Sequence, residues 1–122
     1  MTRSRLTGLE RYWFDKGQVL VIRYIYGDVM DLDKATAHLA ATATEDAKAS
    51  SAESESLRRV AARFFSDASG IVRAADDESA TTPLDRVVAA RHSKALRGLA
   101  VSFERAAVEI QGNKLETETV LN

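Results

Sequence analysis

Cysteine is absent from this 122-residue chain. That removes disulfides, thiolate catalysis and cysteine-ligated zinc or iron–sulfur centres. Pro83 is the only proline and there are just 6 glycines, so few positions can interrupt a helix. Neither sign of charge dominates. The net charge is -1, whereas a dedicated nucleic-acid binder carries a clear basic excess. The longest apolar run, residues 19–26 broken by Arg23, is far short of the ~20 residues a membrane span requires. Arg3 and Arg5 open the chain, but Glu10 and Asp15 interrupt it before the first hydrophobic block. That pattern argues against a cleaved secretory leader. The expectation is a protein of the cytoplasm, or of a particle assembled there, with no cofactor and no metal.

What remains is ordinary globular material, 45% hydrophobic and 29% charged, of a size that suits a single domain. Its wealth of Ala, Arg, Glu and Leu predicts an all-α fold, a small three- to four-helix bundle. The clearest helix spans 83–111. Thr82 is a good N-cap, Pro83 suits the first helical position and Asp85 completes a capping box. Leu84, Val88, His92, Ala95, Leu99, Phe103, Ala106 and Ile110 recur at three- and four-residue steps, and Gly112-Asn113 is a stop signal that leaves a C-terminal tail over 112–122. A second helix, 54–76, carries Leu57, Ala61, Phe64, Ala68, Ile71 and Ala75, widened by Val60, Phe65 and Val72. A third, 32–49, has a thin face of Leu32, Ala35, Leu39, Ala43 and Ala47, which gains little from burial but permits close approach. Charge comes in blocks. Residues 1–26 are basic, 27–55 acidic and 83–114 basic again, a pattern that favours complementary packing within or between chains.

The stretch over 9–26 reads two ways. As a helix it aligns Leu9, Trp13, Gly17, Leu20 and Tyr24, with Phe14, Val21 and Ile25 beside them. As an extended segment over 19–26 it offers β-branched and aromatic residues between two glycines. A buried strand must pair, however, and the chain offers only the weak tail as a partner, so the helix is the reading preferred here. Five of the eight aromatic residues (Tyr12, Trp13, Phe14, Tyr24 and Tyr26) fall in this region. That is more apolar circumference than one neighbour covers, and rigid aromatics are enriched at interfaces. On the last helix Val87, Val101 and Val108 stand opposite the main stripe among arginines and a lysine. These eight residues are the candidate protein-interface set.

Candidates for chemistry are few. His38 has no acid four residues away, and His92 lies within an apolar stripe, the setting of a core histidine. Asp28, Asp31 and Asp33 lack the glycine and closing glutamate of a calcium loop and suit a helix start instead. The run Arg86-Val-Val-Ala-Ala-Arg-His92 resembles the arginine–histidine spacing of small helical ribonucleases of the HEPN type. The resemblance implies His92 as base and Arg86 as the group steadying phosphate. Here valine follows the arginine where that pattern has a polar residue, and no tyrosine follows the histidine. In a regular helix the two side chains would also point about 120° apart. Arg58, Arg59, Arg63 and Arg73, joined by Arg91, Lys94 and Arg97, would form the phosphate-facing patch of a nucleic-acid-binding regulator, yet no recognition motif accompanies them. The expectation is therefore a non-enzymatic assembly or adaptor subunit acting on a protein partner, on itself as a homo-oligomer, or on both. A phage or secretion-apparatus component has this profile.

Overall fold

The computed structural model describes residues 6–50, 54–75 and 82–121. It is all-α, with four helices in the order α1 (Gly8–Ile25), α2 (Leu32–Ser50), α3 (Ser54–Ala75) and α4 (Pro83–Leu121). The starts of α1, α2 and α4 each have a local cause. Thr7 caps α1 in a capping box, its hydroxyl accepting from the Glu10 amide while the Glu10 carboxylate accepts from the Thr7 amide. Asp31 accepts from the Lys34 amide at 3.0 Å and so starts α2. Thr82 and Asp85 make the expected capping box at α4, and those hydrogen bonds hold the Asp85 carboxyl below the usual carboxylate range. At the end of α1 the chain turns through Gly27, φ 85°. The Gly27 amide donates to Tyr24 O, and the Asp28 amide donates to Arg23 O. This is the Schellman arrangement that only a residue free to take positive φ closes cheaply.

α4 touches all three other helices, and its contact with α3 is the most extensive in the molecule. α3 and α4 run antiparallel, with Arg58 donating to Gln111 at one end and the Asp67–Gly70 turn of α3 beside His92 at the other. α1 also runs antiparallel to α4, since Gly17 lies against Leu99 and Tyr24 against Arg91. α2 runs parallel to α4, with Leu32 and Thr36 beside Gly98 and the Ser102 hydroxyl bonded to that of Thr36. The core is continuous across the four helices, and an aromatic chain crosses it. Phe14 stacks on Phe64 at 5.0 Å, and Phe64 meets Phe103 at 5.8 Å. Gly17 lets α1 settle onto this chain, because a Cβ there would overlap the Phe64 ring and lie 3.2 Å from Leu99 Cδ1.

The preferred helical reading of 19–26 holds as far as Ile25, and no strand occurs among the described residues, which sets the extended alternative aside. Within α1 the segment's backbone groups are satisfied locally, whereas a lone strand would leave them unpaired. Several other expectations are corrected. Gly112-Asn113 does not end α4, which continues to Leu121 in place of the expected tail. One interior glycine costs only about 1 kcal/mol relative to alanine, and the glutamates and leucines beyond it are good helix formers. Phe65, Val88 and Leu9 are exposed rather than core. Conversely, Leu96, Ala100 and Ala107 are fully buried, because α4 is packed on more sides than one stripe serves. On α2 the buried face includes Thr36, Ala40 and Thr44; the Thr36 hydroxyl donates to the Asp33 carbonyl and the Thr44 hydroxyl to that of Ala40. The expected core side chains of Ala47, Ala75 and Leu84, and the acidic turn over 76–78, lie outside what the structure describes.

Candidate protein-interaction surface

α1 is apolar on two sides. Its inner side buries Glu10, Trp13, Gly17, Val21 and Tyr24. Its outer side presents Leu9, Tyr12, Val19, Ile22 and Tyr26 to solvent, with Ile22 54% and Tyr26 80% exposed. At 100° per residue these five fall within an arc of about 140°, centred opposite the buried face. Cations are interleaved with them, and Lys16 sits over the Tyr12 ring at 5.4 Å. One flank of this face continues into a groove of about 870 Å³ between α1, the turn after it and the first half of α2. Val19, Leu20, Val29 and Leu39 supply much of its apolar lining, and Lys16, Arg23 and Lys34 its cations. Met30, 95% exposed, stands at its end.

The candidate interface residues therefore divide. Trp13 and Tyr24 are taken up by the chain's own core, and Phe14 is half-buried against Phe64. Tyr12 and Tyr26 remain on the surface. Val87, Val101 and Val108 all lie exposed on the outer side of α4. The sequence reading grouped the aromatics by position along the chain. A 3.6-residue turn instead sets neighbours such as Tyr12 and Trp13 about 100° apart, one outward and one inward, although their rings touch edge-on at 4.9 Å. Val19 and Ile22 belong to the same outer stripe as Tyr12 and Tyr26, and plotting the α1 residues around a helix would have found them.

Polar side chains hold α1 in place. Glu10 is only 1% exposed, and beyond its cap role it accepts from Arg59 at 3.2 Å. At the other end Arg91 donates to the Tyr24 carbonyl at 2.7 Å while its guanidinium lies over the Tyr24 ring at 4.3 Å. That places a cation on the negative end of the helix dipole. Four of the arginines considered for a phosphate patch are thus engaged within the chain. Arg59 and Arg91 hold α1, Arg58 bonds Gln111 and Arg63 pairs with Asp67.

His92 lines a smaller cleft of about 330 Å³ with Gln18, Asp67, Gly70, Ile71, Ala74 and Leu96. Burial lowers its pKa, and the nearby Asp67 carboxylate acts in the opposite direction. Arg86 is exposed on α4, about 120° around the helix from His92. Among the described residues no cluster of three histidine or carboxylate side chains comes together, and no helix is long and apolar enough to cross a membrane. The sequence matches no protein-family model, and no curated protein or solved structure shows significant similarity to it.

Proposed function

We propose that this chain is a non-enzymatic assembly or adaptor subunit that works through protein–protein contacts and associates with itself. The observation that carries this reading is the double-sided character of α1. A helix packed on one side ordinarily turns a polar face to water, whereas α1 turns Leu9, Tyr12, Val19, Ile22 and Tyr26 outward. Large apolar side chains gathered on one exposed helix face, even with charges among them, suit an interaction site, and the tyrosines supply rigid contact area with a polar tip. The engagement of Arg58, Arg59, Arg63 and Arg91 inside the chain supports the same reading, since it leaves fewer cations for phosphate.

Sedimentation of the whole chain tests the proposal. The expected result is a mass above 13.3 kDa that rises with concentration. It should fall when Tyr12, Ile22 and Tyr26 are replaced together by serine, with helical content unchanged. A 13.3 kDa monomer at every concentration, in both forms, would overturn self-association.

A further inference from the structure

We draw no further inference here: the strongest candidate, the apolar groove between α1, the turn after it and the first half of α2, has Asp28 and Asp31 in the same lining as Lys16, Arg23 and Lys34, so its charge singles out no occupant and nothing in the structure shows what covers it.

Discussion

α1 lies against α3 and α4, and α2 against α4 and α1, yet the two are held in place by opposite means. α1 is attached at a few strong points. Trp13, Phe14 and Tyr24 supply large rings, Gly17 a close approach, and Glu10 and Arg91 polar ties at either end. α2 buries Leu32 and otherwise small side chains, namely Thr36, Ala40, Ala43 and Thr44, with Leu39 half-buried at the edge. Small residues gain little per side chain from leaving water, and their value is proximity: Thr36 Cγ2 would lie 3.5 Å from a Cβ on Gly98. The difference teaches where each helix is vulnerable. α1 should be sensitive to loss of individual large groups, and α2 to anything that adds bulk.

The sharpest way to break that comparison is truncation. Trp13→Ala should cost about 4 kcal/mol, and Leu32→Ala, the largest deletion the α2 face offers, about 2–3 kcal/mol, both measured by urea unfolding. Equal costs would mean that α1 is not preferentially anchored. Next comes added bulk. Gly17→Val should destabilise by about 3 kcal/mol, because the new side chain must displace a Phe64 ring held between Phe14 and Phe103. A neutral result would show α1 free to lift.

A smaller effect separates the two members of the Glu10–Arg59 pair. Arg59→Ala strands a buried carboxylate and should cost about 2 kcal/mol. Glu10→Gln keeps a hydrogen-bonding side chain, frees an arginine whose side chain is already 53% exposed, and should cost about 1 kcal/mol. Reversal of that order would place the stabilisation in the capping box and not in the ion pair.

The smallest expected effect concerns His92. Its pKa is lowered in the folded state, chiefly by burial, so the unfolded chain binds the proton more readily. The resulting stability is present above the ordinary imidazole value of about 6.5 and is lost as pH falls below it. Partial exposure keeps the change modest. Unfolding midpoints at pH 7.5 and 5.0 should differ less in His92→Gln than in the wild type.

Helix starts were the most legible part of the fold, because Thr82-Pro83-Asp85 and Asp31 act through atoms a few residues away. The core of α3 was legible for a related reason. Leu57, Phe64 and Ala68 repeat on one face, and that face has one principal partner, α4. Where a helix has several partners the periodicity underreports. Leu96, Ala100 and Ala107 sit beside the strongest stripe of α4 and look like surface until the positions of α2 and α3 are known. Buried Glu10 was hidden because its burial depends on Arg59, 49 residues away. The proposed interaction surface was half legible. Val87, Val101 and Val108 stood out against a charged face, while on α1 clustering along the chain concealed that Trp13 and Tyr24 face inward and Tyr12 and Tyr26 outward.

Arg59 on Glu10, Phe64 beneath Gly17 and Arg91 on Tyr24 clamp α1 near its start, middle and end. The stripe on its other side is therefore preorganised: little backbone freedom is left to lose when something docks there. Under the proposed assembly reading, that saving in ordering entropy would favour a longer-lived complex.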